Sequence, residues 1–76
     1  MSRPIYEIAR DVQSEWKPVN YAAKPYLSAM FDLDKITEYY GHDSAKSVVT
    51  YFLSNATGWR GETAKRIKAE LKALLK

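Results

Sequence analysis

Cysteine is absent from this chain of 76 residues, and glycine, proline and histidine are scarce, at three, three and one. Without cysteine the fold has neither disulfides nor thiolate metal ligands, so burial of apolar side chains must supply nearly all of its stability. No stretch approaches the roughly 18 apolar residues of a membrane-spanning helix, and the N-terminus lacks the apolar run of a signal peptide. We therefore expect a single domain over residues 1–76, in the cytoplasm and away from membranes.

Catalytic and metal-binding groupings are missing as well. The single histidine, His42, has no cysteine or second histidine with which to bind a metal or activate a nucleophile. Asp32 and Asp34 lack the further oxygen ligands of an EF-hand loop. Residues 58–63 resemble a phosphate-binding loop, but they have two residues between the glycines where four are needed, and no lysine. We expect no catalytic residue, no metal and no cofactor, and a function in binding rather than catalysis.

Charge is distributed unevenly along the chain. Residues 1–43 contain five Lys/Arg and seven Asp/Glu, a net charge of −2, whereas residues 44–76 contain seven and two, a net charge of +5. A basic excess confined to one half indicates attraction to an anionic partner such as nucleic acid, although a lysine-rich helix that serves solubility gives the same count.

The spacing of apolar residues predicts an all-α fold, a compact single-domain bundle of four to five short helices. The first helix should be capped by Ser2, with Pro4 in its first turn, and should end before Pro18. The second should have Pro25 in its first turn and end near Phe31.

The next two predicted helices flank a glycine. The third should start at Asp32 or Asp34 and end at Gly41 in the left-handed conformation. The fourth should start at Asp43 or Ser44; its β-branched residues 48–50 also suit a buried strand, but the helical period fits every apolar position. Residues 36–53 also suggest a helix-turn-helix, with a register of small and apolar residues that is off by one. We expect the fourth helix at the centre of the core and the fifth across it.

The fifth predicted helix carries the basic charge. It should begin between residues 57 and 61 and bury an apolar sector of about 100°. Arg66 lies four residues from both Glu62 and Glu70, so we expect its charge to be compensated along the helix. Beside the apolar sector runs a stripe of four lysines, Lys65, Lys68, Lys72 and Lys76.

Trp59 and Arg60 precede this helix in a glycine-containing turn and are open to two interpretations. At the surface, Trp59 would stack on a base or enter a partner's groove, and Arg60 would bind a phosphate or carboxylate. As structural residues, Trp59 would complete the bottom of the core and Arg60 would cap a neighbouring helix. Tyr21 and Tyr26, on either side of Lys24, allow the same choice between stacking on bases and packing in the core.

Several segments together resemble a known group of proteins. They are residues 21–30, Tyr39-Tyr40-Gly41, residues 51–56 and, most specifically, the Trp-Arg-Gly-Glu-Thr-Ala run of residues 59–64. In these the chain is similar to a group of small proteins, without an established activity, encoded by phages and prophages of Gram-positive bacteria. The resemblance implies a bacterial cytoplasm and a partner that is either nucleic acid or a host protein.

Two functions fit these observations. In the first, the chain is a phage accessory protein that binds nucleic acid through its basic C-terminal helix, with contacts from Trp59, Arg60 and the lysine stripe. In the second, it is an adaptor or inhibitor of a host protein that uses Trp59 as a buried anchor, either alone or as a homodimer.

Overall fold

A computed structural model describes residues 3–75, which form four helices and one short hairpin. The fold is mostly helical, so the all-α prediction holds only approximately. Ser2, the predicted first cap, and Lys76 lie outside the described residues. In chain order the elements are α1 (Ile5–Glu15), α2 (Lys24–Met30), β1 (Tyr39–Tyr40), β2 (Asp43–Ser44), α3 (Ala45–Ser54) and α4 (Glu62–Leu74).

The first two helices follow their predicted boundaries closely. Pro4 occupies the N-cap of α1, and Trp16 ends the helix just before Lys17 and Pro18. The apolar face of α1 is completely buried, as its spacing predicts. Pro25 lies in the first turn of α2, where its missing N–H group has no intrahelical acceptor to lose.

The predicted third helix is wrong, because the chain forms a hairpin there. Tyr39 and Tyr40 pair antiparallel with Ser44 and Asp43. The turn has glycine in its first position, Gly41 with φ 63°, which matches the right-handed twist of a two-residue hairpin. Residues 31–38, between α2 and the hairpin, form no helix, so the helix-turn-helix interpretation of residues 36–53 is also wrong.

The segment before the hairpin forms backbone hydrogen bonds with the start of α1. The carbonyl groups of Leu33 and Asp34 accept hydrogen bonds from the N–H groups of Tyr6 and Ile5, at 2.9 and 2.8 Å. They satisfy two of the donors that every helix leaves free in its first turn. This pairing with α1 competes with a local helix, which explains why the two-turn pattern of residues 34–40 does not form one.

The start of α3 is predicted correctly. The side chain of Ser44 accepts a hydrogen bond from the N–H group of Ser47 at 3.1 Å, the usual geometry of a serine N-cap. Val48, Val49 and Phe52 are buried, so the β-branched run belongs to a helix.

Two pairs of helices build the molecule. α4 packs mainly against α1, and α3 mainly against α2, while α1 and α2 join the pairs. The expected crossing of the last helix over α3 is therefore wrong. Trp16 at the end of α1 connects the pairs, since its ring meets Phe52 of α3 edge to face at 6.2 Å. We refer to the pairs as the α1–α4 half and the α2–α3 half.

Candidate functional site

Trp59 belongs to the core. It is only 6% exposed, and its ring lies on that of Trp16 with 5.2 Å between centroids and an interplanar angle of 9°. Trp16, Phe52 and Trp59 thus form one aromatic cluster. The interpretation of Trp59 as a base-stacking or partner-anchoring ring needs correction, because the ring that would have to reach a ligand is packed inside the domain.

Arg60, the next residue, is exposed. Its side chain donates no hydrogen bond to any of residues 3–75, so it does not cap a neighbouring helix. Gly61 follows with φ 115° and ψ 173°, a conformation that residues other than glycine rarely adopt, and it is the N-cap of α4. The chain therefore passes from a buried tryptophan to an exposed arginine in adjacent positions, and the turn at Gly61 then starts α4.

Lys68 connects the lysine stripe to the aromatic cluster. Its ammonium group donates a hydrogen bond to the carbonyl oxygen of Trp59 at 2.5 Å, across nine residues of sequence. The side chain is half-buried. Burial lowers the pKa of Lys68, and the positive charges of Lys72 and Arg60 lower it further. Lys68 is therefore a structural residue as well as a cation, and it lies within electrostatic reach of Lys72 and Arg60.

The remaining stripe residues complete a basic surface. Lys65 and Lys72 are exposed, and seven residues of helix place them about 10 Å apart along the axis and nearly in line. Between the turn and the first two helical turns runs an open groove lined by Trp59, Arg60, Gly61, Glu62, Lys65 and Lys68. We call the four cations Arg60, Lys65, Lys68 and Lys72 the basic face. Lys76, the last predicted member, lies outside the described residues.

The expected compensation of Arg66 along α4 is only partial: Arg66 makes no ion pair there, although its charge adds to the effect of Arg3 in lowering the pKa of Glu70. Glu70 instead pairs with Arg3, whose Nε and Nη2 donate to its two carboxylate oxygens at 2.9 and 2.8 Å. Among residues 3–75, the ion pairs within 4 Å are those of Arg3 with Glu70 and with Asp11, so Arg66 has none. Exposed Arg66 thus adds a positive charge to the helix beside the basic face.

Arg3 joins α4 to α1. Its Nη1 donates to Asp11 at 2.7 Å while its other nitrogens hold Glu70. The hydrogen bonds from Arg3 lower the pKa of Glu70, and those to Glu70 and then Asp11 raise the pKa of Arg3. This two-pronged contact fixes α4 on α1 and so fixes the direction in which the basic face points.

The chemistry that this site offers is electrostatic. The basic face supplies ammonium and guanidinium donors on flexible stems, which bind phosphate or carboxylate oxygens. Within the described part of the chain, no cluster of three His, Asp or Glu side chains could hold a metal ion. In that same part no helix is long and apolar enough to cross a membrane.

Sequence reasoning located the lysines but missed the contacts that hold them in place. The Trp16–Trp59 stack joins residues 43 positions apart, and the Arg3–Glu70 pair joins residues 67 apart. No periodicity reports contacts at such separation. The hairpin did leave a local signal, because a glycine in the first position of a two-residue turn between Tyr-Tyr and Asp-Ser is typical of one.

Comparisons with known proteins identify no similar protein. Neither the protein-family models, nor the curated proteins, nor the solved structures contain a significant match to the chain.

Proposed function

We propose that this chain is a small phage or prophage accessory protein that binds nucleic acid, without catalysis, through the basic face of α4. The observation that carries the proposal is that Arg60, Lys65 and Lys68 line one open groove, and that exposed Lys72 continues the same side of α4. Holding like charges together costs free energy, and an incoming phosphate relieves that repulsion. The resemblance of residues 59–64 to phage proteins supports a role in a bacterial cytoplasm.

The burial of Trp59 determines how the basic face binds. Because the ring of Trp59 is stacked on that of Trp16, the groove offers no free aromatic ring for base stacking. Recognition then rests on phosphates, which makes it independent of base sequence and strongly dependent on salt. Phosphate density is highest along a duplex, so the proposal favours double-stranded over single-stranded nucleic acid.

The basic face has a length suited to a few phosphates. Its lysines span about 10 Å of helix, roughly the rise of three phosphates along one strand of a duplex. If each of the four cations neutralises one phosphate, log K should fall against log salt with a slope of about −3.6.

The alternative, an adaptor or inhibitor of a host protein, loses its proposed anchor. A hot-spot residue has to be available to the partner, and Trp59 is 6% exposed. A protein partner would instead have to be acidic and would bind to the same four cations.

A pair of double variants tests the proposal. Lys65 and Lys72 are exposed members of the basic face, and Lys24 and Lys46 are exposed lysines of the α2–α3 half. Changing either pair to glutamate alters the net charge equally, so only the location differs. Lys68 is left intact because it holds the carbonyl group of Trp59.

The measurement is anisotropy of a labelled DNA duplex of about 20 base pairs at about 100 mM salt. We expect Lys65→Glu with Lys72→Glu to weaken binding about 50-fold or more, since two phosphate contacts become repulsive. Lys24→Glu with Lys46→Glu should cost only a few-fold through net charge. Equal losses from both pairs, or no binding by the unaltered protein, would contradict the proposal.

A further inference from the structure

A row of uncharged side chains crosses the side of the molecule formed by the hairpin, α3 and α2. Tyr39 and Ser44 are cross-strand partners, so their side chains lie on the same face of the hairpin. The hydroxyl of Ser44 donates to that of Ser47 at 3.1 Å, which continues the row onto α3.

The row then extends to a pair of stacked rings. Tyr51 follows Ser47 by four residues and so lies one turn further along the same face of α3. Its ring stacks on that of Tyr26 from α2, with 5.5 Å between centroids and an interplanar angle of 27°. We call Tyr26, Tyr39, Ser44, Ser47 and Tyr51 the tyrosine strip.

Two aromatic rings of the strip are exposed to solvent and are not part of the buried core. Tyr39 is 70% exposed and Tyr51 is 53% exposed, although every buried residue of the described chain is apolar. Tyrosine is enriched and charge is depleted in protein interfaces, and tyrosine with serine is the composition of many binding surfaces. Tyrosine stacked on tyrosine also loses little side-chain entropy on contact. The strip thus has the composition of an interface.

The exposed area of the strip is large enough for the central part of a protein interface, but not for a whole one. A tyrosine side chain has roughly 200 Å² of surface, so these two exposed rings offer about 250 Å². A standard interface buries about 800 Å² on each partner, so the strip would supply about a third and its surroundings on α2 and α3 the rest. An interface of this kind is weak, with dissociation expected in the micromolar range or above.

Charge favours a second copy of this chain as the occupant. The protein has a net charge of +3, and its cations on α4 would repel another copy that approached from that side. The strip itself contains no group that is charged at neutral pH, and the exposed residues next to it, Asp43 and Lys46, have opposite charges that a twofold arrangement can pair across the interface. Hydroxyl groups both donate and accept, which makes such a surface complementary to itself across a twofold axis.

We propose that the tyrosine strip is the interface of a twofold symmetric homodimer of this protein. The interface leaves the basic face of each copy free on the α1–α4 half. The proposal does not depend on nucleic-acid binding, because self-association is measured on the protein alone.

The test is sedimentation equilibrium from about 10 µM to about 1 mM, where weak dimers of this size populate. We expect the apparent mass to rise from 8.7 kDa toward twice that value. Tyr51→Arg should weaken association at least about tenfold, because it buries a charge in the interface. Thr50→Arg is the matched control, since Thr50 is exposed and lies about 100° around α3 from Tyr51.

Tyr39→Arg provides a second disruptive variant on the hairpin, and circular dichroism and urea unfolding identify any variant that fails to fold. Thr50→Arg should associate like the unaltered protein. A mass of one chain at every concentration would overturn the proposal, as would equal effects of the arginines at positions 50 and 51. Quenching of tyrosine fluorescence by single-stranded DNA, with no dimer, would overturn it too and identify the strip as a base-stacking surface.

Discussion

The two halves of this molecule share one core but differ in what they present to solvent. In the α1–α4 half, Arg3 bridges Asp11 and Glu70, and the outer surface of α4 carries the basic face. In the α2–α3 half, the outer surface carries the tyrosine strip, and neutral hydroxyl and ring contacts replace ion pairs.

Because the basic face and the tyrosine strip lie on different halves, each proposed role can be tested separately. The halves meet through Trp16, whose ring contacts those of both Phe52 and Trp59. A change at that junction should affect both halves, whereas a change on either outer surface should affect only its own. The predictions that follow test this separation, beginning with the junction.

The largest effect should come from Trp59→Ala. The change removes the stack on Trp16 and leaves a cavity in the core of a 76-residue chain, so we expect a loss of about 3–5 kcal/mol in the free energy of unfolding. That is most of the stability of a domain this small. Urea unfolding followed by circular dichroism measures it. Tyr21→Ala is the control, since Tyr21 is 89% exposed and should change stability by less than about 0.5 kcal/mol.

If the Trp59→Ala variant had the same free energy of unfolding as the unaltered protein, the assignment of Trp59 to the core would be contradicted. It would mean that the ring contributes nothing to the stability of the fold, and it would favour the interpretation of Trp59 as a surface residue.

The second effect concerns the turn that joins Trp59 to α4. Gly61 has φ 115°, and a Cβ built there meets no atom within 4 Å, so Gly61→Ala should cost only backbone strain of about 1–3 kcal/mol. Gly41, with φ 63° in the hairpin and equally open space, is the matched comparison. As the first central residue of a type II′ turn it also disfavours alanine, so Gly41→Ala should cost a similar amount, about 1–3 kcal/mol, the strain of a backbone conformation that alanine rarely adopts.

Unfolding in urea measures both glycine variants. We expect Gly61→Ala also to weaken duplex binding, because it reorients Arg60 against α4, and Gly41→Ala to leave binding unchanged. The reverse pattern would show that the two surfaces are not independent.

The third effect is the contact that fixes α4 on α1. Arg3→Ala should lower the free energy of unfolding by about 1–2 kcal/mol at neutral pH, because charge-assisted hydrogen bonds to two carboxylates are lost. Partial exposure of the three side chains keeps the effect small. Lys17→Ala, an exposed cation at the end of the same half, should change stability little.

This contact also gives stability a defined pH dependence. Arg3 lowers the pKa of Glu70 below its ordinary value of 4.5, so folding is favoured while the carboxylate is charged. The contribution is complete above about pH 4.5 and is lost as the pH falls through the lowered pKa. Urea unfolding between about pH 7 and pH 3 should show a smaller decline for Arg3→Ala than for the unaltered protein. Parallel declines would contradict the role of Arg3.

The sequence predicted those features that depend on neighbouring residues. The apolar faces of α1, α3 and α4 follow helical periodicity, and the serine cap of α3 is a local signal. The hairpin does not follow from the local sequence alone, because a glycine with positive φ is typical both of a helix end and of a two-residue hairpin turn. The carbonyl groups of Leu33 and Asp34 accept hydrogen bonds from the first turn of α1, which favours the hairpin over a local helix.

The candidate site divides in the same way. Lysines at helical spacing predicted the stripe, and Arg60 and Lys65 are exposed as a binding surface requires. The depth of Trp59 and the bond from Lys68 to its carbonyl group depend on where α1 ends, which no residue near position 59 reports. The tyrosine strip is not visible in the sequence for the same reason, because its members come from four elements, α2, β1, β2 and α3.

The most direct test of the account is the salt dependence of duplex binding by the unaltered protein. Affinity for a DNA duplex should fall about 150-fold between about 50 mM and about 200 mM salt, the drop expected for four phosphate contacts. The Lys65→Glu, Lys72→Glu variant should show about half that slope, and the Lys24→Glu, Lys46→Glu variant should keep nearly all of it. A slope near zero, or equal slopes for the two variants, would contradict the claim that the basic face of α4 binds nucleic acid.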